Sequence, residues 1–491
     1  MASIIRRRYL AGGAAALGGL LAAACGEIEV RYVQGPPGPA GPAGAQGERG
    51  ATGAAGATGA AGAAGQTQTI VQEKVVTVEK PVVVEKVVTV DRPVVVEKVV
   101  EKAVEKASLP ALIVGQLNAF TGSLSYFGPA HRNAAALAAD HVNRAGGIRG
   151  ASMIILSGDT GVNPVQGVDA ARALVDVENA VAIIGALASG VTLPVATSVT
   201  VPKKRLQISG ASTSPAITVL EDDDYLFRTA VSDAAQGAVL ARLAQEEGYA
   251  NAGIMYINNA YGEGLANQFE QTFTSLGGRV TGKVPHEDSQ PSFKSELEKA
   301  TADDPDVLIA MSYPGQAEIY LRESLEGGYS DKFLFVDGTK SPEMMEAVGW
   351  ERLEGSLGTA PGAPDSPQLQ AFLSAYAAAH GGQAPEYPFV NETYDAAVLI
   401  ALAAAKSNST TDSTAIRDAI RAVANPPGTV VGPGVDDIRM ALELIANGDD
   451  INYEGAAGPV DFDENGDVVG PIEIWKVEGG QIKSTGRFES P

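Results

Sequence analysis

The sequence predicts an α/β protein of two lobes, each built on a parallel sheet, preceded by a low-complexity stalk. Three observations carry this reading. From Leu109 onward, short apolar runs alternate with longer amphipathic segments. The alternation recurs as a second set from Tyr225, and between Gly35 and Gly65 a glycine stands at every third position. Strands separated by helical periods form βαβ units, whose crossovers lay helices on the faces of a parallel sheet. With 491 residues, 45% of them hydrophobic and 19% charged, the chain carries enough apolar surface for one large or two medium cores.

Residues 1–25, MASIIRRRYLAGGAAALGGLLAAAC, join a basic cluster to an apolar run and a small-residue end, the pattern of an export signal. Arg6, Arg7 and Arg8 resemble a twin-arginine motif, and Leu21-Ala22-Ala23-Ala24-Cys25 resembles a bacterial lipoprotein cleavage site with Ala22 where leucine is usual. Plain secretion is the competing reading. Cys25 is the one cysteine in the sequence, so it cannot close an internal disulfide, and acylation gives it a use. The expectation is an exported, extracytoplasmic protein held to the membrane as a lipoprotein. After a short linker, 26–34, the segment 35–67 carries the glycine triplets. Only a hydrogen side chain fits the axis where three chains meet, so unbroken glycine phase implies a collagen-like homotrimer; a disordered Ala/Gly linker is the alternative. The stalk 68–108 follows, with an acidic-basic pair every six residues from Glu73 to Lys98 and valines between. β-branched residues favour extended backbone while Pro81 and Pro93 interrupt strand ladders. Three wound copies would cover the valines; a single extended solvated spacer would leave them bare.

In the globular part, ALIVGQLNAF, SMIILSGD, AVAIIGAL and LQISGA read as strands, and HRNAAALAADHVNRAGG and DAARALVDVEN as helices between them. YLFRTAVS, AGIMYINN, RVTGKV, VLIAMSY and KFLFVDG form the second set of strands, interleaved with helices such as AAQGAVLARLAQEEGY and GEGLANQFEQTFTSLGG. Charge separates this part from the stalk. Residues 1–108 hold 12 Lys+Arg against 10 Asp+Glu, leaving 24 against 49 for the remainder, a balance of −25. Such a surface repels phosphate backbones, which argues against nucleic-acid binding.

From Leu109 to the end the chain resembles a type I periplasmic solute-binding protein of the leucine/isoleucine/valine class, the ligand-delivering partner of an ABC permease. The resemblance rests on NAFTGSLSYFG, HVNRAGGIRG, AIIGALASGVTLPVA, ISGASTSPAIT, FRTAVSDAAQG and NNAYGEGLAN, in this order. It implies a two-lobed clamshell whose chain crosses the hinge three times, near Ser232, Thr359 and Asp449. Lobe one is then 109–231 plus 359–448, and lobe two 232–358 plus 449–491. In open parallel sheets ligands lie beyond the carboxyl ends of strands, where helix N-termini present free N–H groups to anions. The resemblance puts an amino-acid carboxylate on Ser189 and Thr213, and its ammonium on the carbonyl of Ala211. From the second lobe Tyr313 supplies an aromatic wall and Asp337 an ammonium-binding carboxylate, where the branched-chain binder has glutamate. Phe127, where a tyrosine is usual, and Phe389 complete the side-chain pocket. Ordinary helix capping for the Ser and Thr, and plain core for the two Phe, are the competing readings.

No catalytic constellation competes. His131, His141, His286 and His380 are scattered without metal-ligand spacing, and neither a G-x-S-x-G elbow nor a P-loop occurs. DFDENGD at 461–467 imitates the start of a calcium loop, but its twelfth position is Ile472 where a bidentate glutamate is needed, so it reads as a turn. The expectation is a binding protein, not an enzyme, with no cofactor and no metal.

Overall fold

The structure is a computed structural model and describes residues 109–382 and 387–490, with the backbone of two short strands, Val30–Val33 and Thr69–Gln72. Those two strands apart, the readings made on residues 1–108 (export signal, Cys25, collagen-like segment, stalk) lie outside the described residues.

Five parallel strands make the first sheet: β1 Leu112–Asn118, β2 Met153–Asp159, β3 Ala182–Ile184, β4 Leu206–Ser209 and β5 Leu226–Arg228, in the order β2-β1-β3-β4-β5. Side chains alternate across a strand. Along β1, Leu112 and Val114 therefore enter one apolar cluster with the helices Gly128–Arg144 and Val390–Lys406, while Leu117 enters another on the opposite face. Val390–Lys406 is apolar nearly all round and correspondingly buried along most of its length. The periods Pro164–Arg172 and Ser189–Val195 each run on into a five-residue π-helical turn, Ala173–Val177 and Ala196–Thr200. Local chemistry sets the helix starts: Asn163, Ser232 and Asn259 each accept a hydrogen bond from first-turn N–H groups.

The second sheet begins with β6 Asn251–Ile257, β7 Arg279–His286, β8 Val307–Met311, β9 Phe333–Phe335 and β10 Leu357–Pro361. A small sheet of β11 Thr429–Val431, β12 Ile451–Gly455 and β13 Gly458–Pro459 sits apart. The chain then adds β14 Ile472–Val477 and β15 Ile482–Glu489 antiparallel at the edge of the second sheet, whose order is β15-β14-β10-β9-β8-β6-β7. Two expected crossings move accordingly. Thr359 lies inside β10, paired with Ile474, so the second crossing follows Pro361 rather than preceding Thr359. Residues past Asp449 stay with the first lobe: β12 pairs with β11, and Ile451, Tyr453, Val460, Phe462 and Val468 pack in its core. The third crossing therefore falls just before Ile472. The reason is physical, because an apolar run announces a strand but not which sheet edge will hydrogen-bond it.

Candidate functional site

The two sheets present the carboxyl ends of their strands to one cleft. On the first-lobe side, β3 ends in GALAS and β4 in GASTS. Ser189 opens the helix Ser189–Val195; the Val191 and Thr192 N–H groups donate to Ala188 O at 2.9 and 3.0 Å, which leaves those of Ser189 and Gly190 without a carbonyl in the turn. Hydroxyls fix the two loops against each other. Thr192 Oγ1 lies 2.7 Å from Ser212 Oγ, Ser209 Oγ donates to Ala186 O at 2.8 Å, and Ser214 N–H donates to Ser189 Oγ at 3.2 Å. Behind them Arg228, fully buried, donates from Nη1 to the carbonyls of Thr213 and Ser214 at 2.9 Å each. It also grips Asp467 through Nε at 2.7 Å and Nη2 at 2.6 Å. A bidentate guanidinium-carboxylate pair of this kind sets orientation as well as energy. DFDENGD thus forms a turn, in which Asp463 Oδ1 accepts from the N–H groups of Asn465 and Asp467, and it delivers Asp467 to Arg228.

On the second-lobe side, Tyr313 ends the loop after β8, and its ring stacks on Tyr261 with centroids 5.4 Å apart and planes 10° apart. Asp337 starts a 3-10 turn after β9. Its Oδ1 accepts from Tyr261 Oη and from Gln236 Nε2, both at 2.8 Å, and Gly338 N–H donates to Tyr261 Oη at 3.2 Å. Burial raises the Asp337 pKa above the usual carboxylate value, and the donated hydrogen bonds from Tyr261 and Gln236 oppose the rise. Phe127 and Phe389 close the apolar end. Phe127 leans on Tyr387 with ring centroids 5.0 Å apart. Phe389 adopts φ 67°, a left-handed conformation costly for an aromatic residue and typical of ligand clamps.

These residues line one narrow cleft. Of the seven expected binding residues, Ser189, Ala211, Tyr313, Asp337, Phe127 and Phe389 line it, joined by Leu124, Leu187, Tyr261 and Gly338. Thr213 does not line the cleft: it is wholly buried and faces the Asp233 carboxylate one layer back. Sequence reading missed Tyr261, Gln236, Arg228 and Asp467. The position of Tyr261, directly after β6 in NNAYGEG, is the one local signal that could have found it. Among the described residues no group of three or more His, Cys, Asp or Glu could hold a metal ion.

Known proteins share this fold. The model of the periplasmic binding protein family matches residues 112–481. The chemotactic signal transduction system substrate-binding protein BasB of Halobacterium salinarum is 28% identical over 347 residues, which cover 70% of this chain and 80% of that protein. The leucine-specific-binding protein of Salmonella typhimurium is 27% identical over 341 residues, 68% of this chain and 89% of its own. Among solved structures, the leucine binding protein LivK from Thermotoga maritima superposes with a TM-score of 0.66 at 25% identity, covering 78% of this chain and 99% of that one.

Proposed function

The chain belongs to the periplasmic binding protein family, and from that premise we propose that it is the extracytoplasmic substrate-binding component of an ABC importer, taking an amino acid or a related solute. The carboxylate of the ligand sits on Ser189 Oγ and the free N–H groups at the start of its helix. The ammonium sits between the Ala211 carbonyl and Asp337, and the side chain lies against Phe127, Phe389 and Leu124, with Tyr313 as a wall. One observation supports this above the others. A narrow cleft has a buried carboxylate from one lobe, a helix start from the other, and apolar walls between them. That polarity suits a small zwitterion and suits neither a nucleotide nor a polymer.

Calorimetric titration with the common L-amino acids, their amides and small carboxylates tests the reading. Binding by an amino acid is expected, and at a hundred times its dissociation constant it should stabilise the domain by about 2.7 kcal/mol. Failure of the whole panel at millimolar concentration would reject the transport reading in favour of an envelope adhesive or structural role.

The proposal extends to the anchor and the assembly. Cys25 carries the lipid, so Cys25→Ser should release the protein from the membrane fraction with binding unchanged. The glycine triplets of Gly35–Gly65 form the trimer, so a chain beginning at Gly26 should sediment as a trimer in the cold and one beginning at Leu109 as a monomer. A monomeric Gly26 chain at every concentration would remove the trimer.

A further inference from the structure

Lobe one carries a groove on the side away from the cleft, where its strands begin, between the turn after the helix Gly128–Arg144 and the helix Val435–Asn447. Ala405 and Ile445, both buried, and Leu442, half-buried, give it an apolar floor, and Arg149, Arg439 and Glu443 supply its charges. The two arginines are not used by the lobe. Arg149 makes no ion pair among the described residues, and Arg439 reaches Asp436 on its own helix at 2.6 Å, an exposed contact of little worth. In a part of the chain with a charge balance of −25, two such cations beside an apolar floor oppose the prevailing sign. A Cβ on Gly146 or Gly150 would meet nothing within 4 Å, so this edge of the groove is open. The chain arrives beside it. Leu112 N–H donates to Ser152 O at 2.8 Å, two residues beyond Gly150, and Leu109 packs on the same core as Leu442. The sequence just before Leu109 changes period: Glu97-Lys98, Glu101-Lys102 and Glu105-Lys106 recur every four residues, where the earlier pairs recur every six. Val100, Ala103, Val104 and Ala107 then fall at i, i+3, i+4 and i+7, one stripe of a helix with Glu97 and Glu101 along its border. Pro110 stops such a helix at Leu109, because the residue before a proline avoids the α region.

We propose that this groove seats the end of the stalk, residues 97–108 of the same chain, as an amphipathic helix. Its valines and alanines lie on Ala405, Leu442 and Ile445, Glu97 and Glu101 face Arg149 and Arg439, and the lysines that follow them are left to Glu443 and solvent. Twelve residues in that form reach about 18 Å, a length that fits an entry point this near. A segment tethered so closely meets its seat at millimolar effective concentration, so an intrinsic affinity of about 0.1 mM keeps it docked roughly nine-tenths of the time. A weak contact therefore suffices. Every residue of the seat belongs to lobe one, so the stalk is fastened to one lobe and the other is free to close. The inference does not depend on which ligand the cleft takes.

The test is hydrogen exchange, read by peptide mass, on the full chain. In the wild type the amides of residues 97–107 should exchange about tenfold more slowly than in a free peptide of the same sequence. Arg149→Glu combined with Arg439→Glu should return them to the peptide rate while β1 and β2 keep their protection, the sign that the lobe is still folded. Adding Glu97→Arg and Glu101→Arg to that variant should restore the slow exchange. If the lobe variant does not fold, Glu97→Arg with Glu101→Arg alone must remove the protection, since neither residue belongs to the lobe. Exchange at the peptide rate in the wild type overturns the proposal. Protection that neither pair of substitutions alters overturns it as well, because winding of stalk on stalk would then cover the valines. Protection lost in the arginine variant and not regained after the charge swap rejects the pairing of Glu97 and Glu101 with Arg149 and Arg439, and the proposal with it.

Discussion

Asp337 is where residue chemistry and ligand class meet. Its Oδ1 already accepts two hydrogen bonds, from Tyr261 and Gln236, so Asp337→Asn can keep both while removing the charge. Removing one partner of a buried ion pair typically costs about 3 to 5 kcal/mol. Asp337→Asn should therefore weaken an amino acid by roughly 150-fold to 5000-fold, measured by titration; a loss under threefold would remove the ammonium role. A second carboxyl group tests burial without touching the ligand. Glu392, in the first turn of Val390–Lys406, is pushed up to about 8 by burial, and its Oε2 has no donor. The unfolded chain ionises this group near pH 4.5, so its contribution to stability is complete below that pH and drains away as pH rises towards 8. Glu392→Gln should leave the thermal midpoint at pH 4.5 nearly unchanged and raise stability at pH 8.5 by an amount on the order of 3 to 5 kcal/mol. Equal midpoint differences at both pH values would reject this. Sequence could propose Ser189, Ala211 and Asp337 only through the family resemblance, which places them after apolar runs at strand ends. It could not propose Gln236, whose partner lies 101 residues away and is joined only by the fold.

At the scale of elements, the pair Arg228–Asp467 joins β5 to a turn 239 residues later and holds the GASTS loop through two carbonyls. Asp467→Asn should loosen that loop before it unfolds the lobe. The guanidinium would be left buried beside a neutral amide, a change of about 3 kcal/mol or more in stability. Ligand dissociation should quicken as well, because Ser214 and Ser189 lose their common frame. Stopped-flow dissociation together with denaturant unfolding measures both effects, and unchanged dissociation would confine the pair to a role in folding. Most strands of the two large sheets were legible from apolar runs such as SMIILSGD and VLIAMSY, but Leu357–Pro361, Ile472–Val477 and Ile482–Glu489 were not read as strands, and YLFRTAVS, read with the second set, supplies β5 of the first sheet. Thr429–Val431 and Gly458–Pro459 were not legible either, since strands of three and two residues among Gly and Pro carry no periodicity. The displaced crossings have a related cause. Leu357–Pro361 and Ile451–Gly455 are equally good strands by composition, and only their hydrogen-bonded neighbours assign the one to lobe two and the other to lobe one.

For the whole molecule the decisive contact is between lobes, and the structure is closed. Ser214 Oγ donates to the carbonyl of Ala260 at 2.7 Å, Gly315 N–H donates to the carbonyl of Ser123 at 3.4 Å, and the Tyr387 hydroxyl donates to Glu343. Two glycines make room for this approach. A Cβ on Gly190 would stand 3.2 Å from Asn259 Cβ, and one on Gly264 would stand 2.8 Å from Pro215 Cδ. The second distance is below what real side chains adopt, and a proline ring held at the start of a helix cannot swing aside. Gly264 lies inside the helix Ala260–Ser275, where alanine is preferred to glycine by about 1 kcal/mol. Gly264→Ala should therefore leave the ligand-free protein as stable as wild type or slightly more so, while opposing closure. If closure becomes unfavourable by about 1.4 kcal/mol, the competent fraction falls tenfold and apparent affinity falls with it. Scattering should then show the ligand-free variant at least as expanded as wild type, and titration a weaker affinity at near-unchanged thermal midpoint. Wild-type affinity in Gly264→Ala would mean that binding does not require the lobes to meet at this seam. A fall in both affinity and midpoint would place the clash inside the folded lobe instead. The combination of lost affinity with retained stability is what ties ligand capture to a hinge rather than to a preformed pocket.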